Sequence, residues 1–177
     1  MIYGATELLY AEPFAKALVE MPEFRVWSLG KSKFRSCANQ VRLLHREMLA
    51  RRSKSAKYWW RSYYTEACRC FGCSGQETDL LAIFETSHAL RVAIHFEGKH
   101  PRDVFKKPNQ AAAYPERAKC WAAQENTPKK VLPHDDAGTA LICSKSKLTE
   151  YGPHLRYFDS IFTFEEIAEK FPAISFG

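Results

Sequence analysis

Asp79-Leu80-Leu81-Ala82-Ile83-Phe84-Glu85 and Arg91-Val92-Ala93-Ile94-His95-Phe96-Glu97-Gly98-Lys99 are the stretches on which the reading of this chain turns. Both are short, β-rich and largely apolar, and Thr86-Ser87-His88-Ala89-Leu90 separates them as a turn, which predicts a hairpin buried on both faces. Strand residues two apart share a face, so Glu97 and Lys99 project side by side while Gly98 faces away. If the hairpin is antiparallel, the start of its first strand lies beside the end of its second. Asp79 then comes alongside Glu97 and Lys99, and two carboxylates and a lysine converge on one sheet edge.

Outward from the hairpin, Pro101 stops the second strand and Pro108-Asn109 opens a helix running from Gln110 to about Gln124. Thr139-Ala140-Leu141-Ile142-Cys143 reads as another strand. A final helix covers about 164–171, with Thr163 as N-cap and Glu166 completing a capping box. On the N-terminal side, Val41, Leu44, Met48 and Leu49 follow a helical spacing and predict an amphipathic helix over 38–53, ending at Ser53-Lys54-Ser55. The aromatic face of Tyr58-Trp59-Trp60-Arg61-Ser62-Tyr63-Tyr64 predicts a second helix over about 57–68. Phe24-Arg25-Val26-Trp27 is one option for a first strand. With no repeat or low-complexity tract, 1–177 reads as one α/β domain, a central mixed β-sheet flanked by helices, with a basic helical segment at 31–66 and a core of chemistry at about 75–145.

Composition fits that picture. The 177 residues are 46% hydrophobic and 26% charged, which excludes a disordered tail, a collagen-like fibre and a disulfide-stapled miniprotein. No apolar run approaches the ~20 residues of a membrane-spanning helix, and no signal peptide precedes the domain, so a cytoplasmic protein with no membrane partner is expected. The net charge of +6 calls for an anionic partner. Lys31, Lys33, Arg35, Arg42, Arg46, Arg51, Arg52, Lys54, Lys57 and Arg61 are opposed within their own stretch only by Glu47, which marks 31–64 as a candidate for phosphate contact.

Two carboxylates beside a lysine suit a hard divalent cation. Mg²⁺ takes oxygen ligands, usually one or two protein carboxylates together with substrate phosphate oxygens, and Mn²⁺ can substitute for it. The cation polarises a phosphoryl group and lowers the pKa of a bound water, while Lys99 orients or deprotonates that water and offsets charge in the transition state. The implied reaction is phosphodiester hydrolysis.

The succession Glu77-Thr78-Asp79, apolar strand, turn, second apolar strand ending Glu97-Gly98-Lys99, then a helix beginning Gln110-Ala111-Ala112-Ala113-Tyr114 resembles the PD-(D/E)XK nuclease superfamily, with its restriction-endonuclease-like fold. Thr78 stands where proline is common in that family. Gln110 and Tyr114 match the Q-x-x-x-Y helix of its exonuclease-like branches. The resemblance implies a metal-dependent DNA nuclease in which Asp79 and Glu97 bind metal, Lys99 assists the water, and Gln110 with Tyr114 supports substrate or water. It also implies an α-β-β-β-α-β core and a further acid on a helix before the sheet, for which Glu7, Glu12 and Glu66 are candidates. DNA is the expected partner, and a homodimer is an open option. On the helix, Gln110, Tyr114 and Arg117 share a side from which all three could reach a phosphate. Pro115 is compatible with that helix only in its first turn.

Other motifs are less committed. Cys68, Cys70 and Cys73 would need a distant fourth ligand, such as Cys37, Cys120 or His100, to hold zinc or an iron–sulfur cluster; buried or turn-lining thiols are the commoner reading. A non-catalytic nucleic-acid-binding protein with structural zinc on that cluster is the rival to the nuclease. His134-Asp135-Asp136 reads as a polar turn, and His95 as a core histidine or a neighbour of the site. Trp59, Trp60, Tyr63 and Tyr64 would stack bases or fill the core.

Overall fold

The computed structural model describes residues 5–52, 54–61, 63 and 68–177. Its centre is a mixed five-stranded sheet, ordered as in the sequence: β1 (Val41–Leu43), β2 (Leu80–Thr86), β3 (Arg91–Gly98), β4 (Asp136–Cys143) and β5 (Ser160–Thr163). β2 runs antiparallel to both β1 and β3, and β3, β4 and β5 run parallel to one another. Helix α4 (Ala113–Ala122) lies in the crossover between β3 and β4, the connection that a parallel pair requires. The hairpin forms as expected, with Leu80 opposite Phe96 and Glu85 opposite Arg91.

Alternation along the strands builds two cores. Leu80, Ala82, Phe84, Val92, Ile94 and Phe96 face α1 (Ala5–Glu20), α2 (Pro22–Gly30) and α6 (Phe164–Lys170). Leu81, Ile83 and Ala93 face the other way, towards Ala118 and Trp121 of α4 and Met48 of α3 (His45–Ala50). Alongside, Leu141 and Cys143 of β4 pack with Tyr114 and with Tyr151 of α5 (Leu148–Leu155). The sheet is therefore buried on both faces, as its near-continuous apolar runs require.

Three elements depart from the sequence reading. The expected helix over 38–53 is instead a 3₁₀ turn (Arg35–Gln40), strand β1 and the short α3. Val41–Leu43 pairs with Phe84–Thr86, and this edge pairing overrides a helical spacing of only four apolar residues. Phe24-Arg25-Val26-Trp27 is helical, part of α2, which starts at Pro22; Phe24 and Trp27 pack on Phe171, and Arg25 caps the end of α1 through the carbonyls of Leu18 and Val19. The expected helix over 57–68 is absent at 56–61, and 64–67, including Tyr64 and Glu66, lie outside the described residues. There Trp60 O accepts from Leu81 N at 2.8 Å and Tyr63 O from Thr78 N at 2.8 Å, so the segment runs beside the start of β2. Trp60 and Tyr63 are buried, which places them in the core and not at a base-stacking surface.

The C-terminal helix keeps half of its expected capping box. Thr163 Oγ1 accepts from Glu166 N at 3.1 Å, but the Glu166 carboxylate turns to Lys31 at 2.5 Å. The described helices include none long and apolar enough to cross a membrane.

Candidate active site

Hairpin register brings the expected charges together. Asp79 precedes Leu80 and so falls opposite Glu97; its Oδ2 accepts the backbone N–H of Gly98 at 2.9 Å. Glu97 Oε1 lies 2.6 Å from Lys99 Nζ and accepts from Gln110 Nε2 at 2.9 Å. Glu97 is 1% exposed and Lys99 3%, so these charges interact in a dry setting where each depends on its partners.

The electrostatics follow from that crowding. Burial and the neighbouring Glu97 carboxylate raise the Asp79 carboxyl well above its ordinary 3.8, against the pull of Lys99. Burial opposes the Lys99 ammonium, yet the carboxylates of Glu97, Asp79 and Asp103 hold its pKa above the ordinary 10.5. Tyr114 is raised by burial and by the carboxylates of Asp79 and Glu97, which keeps its hydroxyl protonated as a donor. That hydroxyl donates to the Glu77 carbonyl at 3.3 Å, tying α4 to the segment that delivers Asp79.

Helix α4 begins at Ala113. Pro115 thus falls in its first turn, Tyr114 is helical, and Gln110 sits in the preceding turn, where its Oε1 also accepts from Lys106 N. Arg117 does not reach outward. It is fully buried, stacked 4.4 Å from the Tyr114 ring centre, and its three guanidinium nitrogens have no hydrogen-bond partner among the described residues. Of the upstream acids, Glu7 shares a small cavity with Asp79, Gly98 and His100, whereas Glu12 lines a groove against the C-terminal tail.

The sequence reading missed Asp103 and the loop that carries it. Asp103 Oδ2 sits 3.3 Å from Lys99 Nζ, and its carbonyl accepts from Tyr151 Oη at 2.5 Å. Phe105 covers the Lys99 ammonium at 4.9 Å and packs against Tyr151. Arg102, Lys106 and Lys107 of the same loop are exposed. The signal was available: a stretch bounded by Lys99 and Gln110, two candidate site residues, that carries three further cations.

The basic stretch stands elsewhere. Arg42 is opposite Glu85, six residues from Asp79 and so roughly 20 Å along the strand. Several of its cations are already engaged: Lys31 with Glu166, Lys33 with Asp136, Arg42 with Glu47 and Glu85, and Arg52 with the carbonyls of Tyr58 and Arg61. Arg35 and Arg46 are exposed.

His95 is buried and bonded to Thr78 Oγ1 at 3.1 Å; burial, with Arg117 and His134 nearby, lowers its pKa well below 6.5 and keeps it neutral. His134 is buried against the Leu132 carbonyl, Asp135 accepts from Arg91 N, and Asp136 pairs with Lys33, so the three do not converge on a common ligand point. Among the cysteines, Cys68, Cys70 and Cys73 are joined by Cys120 of α4, one of the distant residues that spacing alone left open. The Cys68 thiol is pulled down to about 7, first by the Cys70 backbone N–H, while burial raises Cys73 and brings Cys120 up to about 12.

No protein-family model matches this chain, and neither the curated proteins nor the solved structures include a significant match. The functional reading therefore rests on the chain's own geometry.

Proposed function

We propose that this protein is a metal-dependent DNA nuclease that hydrolyses phosphodiester bonds through Asp79, Glu97 and Lys99, on a restriction-endonuclease-like core. One observation carries the reading: the hairpin register sets Asp79, just before β2, opposite Glu97 of β3, whose Oε1 lies 2.6 Å from the Nζ of the buried Lys99. Two carboxylates so placed are unfavourable in isolation and suit an added divalent cation. The order α1, α2, β1, α3, β2, β3, α4, β4 also supports it, since it contains the α-β-β-β-α-β succession that the resemblance implies, with α2 and the short α3 inserted.

Asp79 and Glu97 would hold Mg²⁺ or Mn²⁺, with Glu7 better placed than Glu12 to join them. The cation would polarise the phosphoryl group and acidify a bound water. Lys99, which donates to two carboxylates in the resting site, is a donor and counter-charge in this arrangement and offsets charge on the phosphorane-like transition state. Gln110 holds Glu97 by its amide, and Tyr114 keeps a protonated hydroxyl beside it. Arg102, Lys106 and Lys107, exposed on the loop between Lys99 and Gln110, would contact phosphates near the site.

The rival, a binding module without catalysis, draws on the cysteine cluster but leaves the crowded carboxylates without a purpose. Linear, circular and single-stranded DNA incubated with Mg²⁺ or Mn²⁺ separates the two. Cleavage by the wild type, reduced by about 10²–10³-fold in Asp79→Asn, is expected. Cleavage that Asp79→Asn leaves unchanged, or none on any substrate, overturns the nuclease reading.

A further inference from the structure

Cys68, Cys70, Cys73 and Cys120 present their sulfurs to one point. All four Sγ atoms lie within 4.8 Å of one another, and Cys68 and Cys120 approach to 3.5 Å. No disulfide joins any of the six cysteines. Four sulfurs around Zn²⁺ at about 2.3 Å form a tetrahedron with edges of about 3.8 Å, within the spread seen here. A cubane iron–sulfur cluster binds each thiolate to a different iron and holds them farther apart. The donor set is all sulfur, with no carboxylate to favour a hard ion.

Two N–H donors point at the sulfurs. Trp121 Nε1 donates to Cys73 Sγ at 3.2 Å, and the Cys70 backbone N–H donates to Cys68. Gly72 lets the cysteine loop lie directly on α4: a Cβ there would stand 2.4 Å from Arg117 N and 2.6 Å from Ala113 O. Arg117, buried without a hydrogen-bond partner among the described residues, lies one turn before Cys120 on the same side of the helix. Four thiolates and one Zn²⁺ carry a net charge of −2, a counter-charge for that guanidinium.

We infer that these four cysteines hold one tetrahedral zinc ion that staples the segment leading into Asp79 to the helix carrying Tyr114. The site is structural in type: four protein ligands fill the coordination sphere and leave no open position for water. It stands independently of the nuclease reading, since none of its ligands belongs to the Asp79–Glu97–Lys99 site.

The test is the metal content of the full chain purified from zinc-supplemented cells, with X-ray absorption at the zinc edge. One zinc per chain with four sulfur ligands at about 2.3 Å is expected. Cys120→Ser should weaken zinc binding by more than about 100-fold, and Trp121→Phe by about 10-fold, as loss of an outer partner does. Cys37→Ser and Asp79→Asn should keep the zinc. If Cys120→Ser fails to fold, the absorption spectrum of the wild type still decides the ligand set. A metal-free protein, iron with labile sulfide, oxygen or nitrogen ligands, or full zinc retention in Cys120→Ser each overturns the inference. Zinc retained by a chain that cleaves no DNA supports it while refuting the nuclease.

Discussion

Asp79 and Gly98 are joined across the hairpin, the Oδ2 of the first accepting the backbone N–H of the second at 2.9 Å. That bond stabilises the Asp79 carboxylate, but burial and the neighbouring Glu97 carboxylate outweigh it and raise the Asp79 pKa, so stability should depend on pH. Because the folded pKa of Asp79 is raised, its favourable contribution is fully present below about pH 4, where folded and unfolded chains are both protonated. The contribution is lost as pH rises through the folded value. In EDTA at pH 7, Asp79→Asn should therefore melt at least about 2 °C above the wild type, and the gap should close below about pH 4. Mg²⁺ should raise only the wild-type melting temperature. Melting curves across pH, with and without Mg²⁺, check each statement.

Lys99→Met should destabilise the fold by about 3 kcal/mol, because Glu97 and Asp103 would keep their buried charges without the ammonium between them. Urea denaturation at pH 7 measures the loss. Adding Glu97→Gln to Lys99→Met should restore part of it, since one uncompensated charge is then gone.

Charge near the site should matter more than charge at the far sheet edge. Lys106→Glu with Lys107→Glu should weaken DNA binding and flatten its salt dependence, whereas Arg35→Glu with Arg46→Glu should change both much less. Fluorescence anisotropy at several salt concentrations reads the two slopes.

Thr163→Ala should cost about 1 kcal/mol, the value of an N-cap that satisfies a backbone N–H, here that of Glu166. A cost near zero would mean that the Glu166–Lys31 pair alone holds the start of α6.

What was legible in the sequence was local. The hairpin and its convergent charges follow from side-chain alternation and strand order, both set over some twenty residues, and Thr163 announced its helix through a backbone bond three residues away. What was hidden depended on distant partners. Val41–Leu43 is a strand because Phe84–Thr86 needs an edge partner, and Lys31, Lys33 and Arg42 of the basic stretch pair with Glu166, Asp136 and Glu85, none of them near it in sequence. Cys120 meets the Cys68–Cys73 loop only once α4 crosses the sheet. Arg117 shares a helical side with Tyr114, yet that side faces the core.

The proposed chemistry requires that Asp79 and Glu97 together hold a hard divalent cation. Its most direct test is Mn²⁺ binding to the full chain, followed by electron paramagnetic resonance, with Mg²⁺ as competitor. One Mn²⁺ site that Mg²⁺ empties and that both Asp79→Asn and Glu97→Gln abolish is expected. Wild-type protein that binds no Mn²⁺, or variants that bind it as tightly as the wild type, would contradict it.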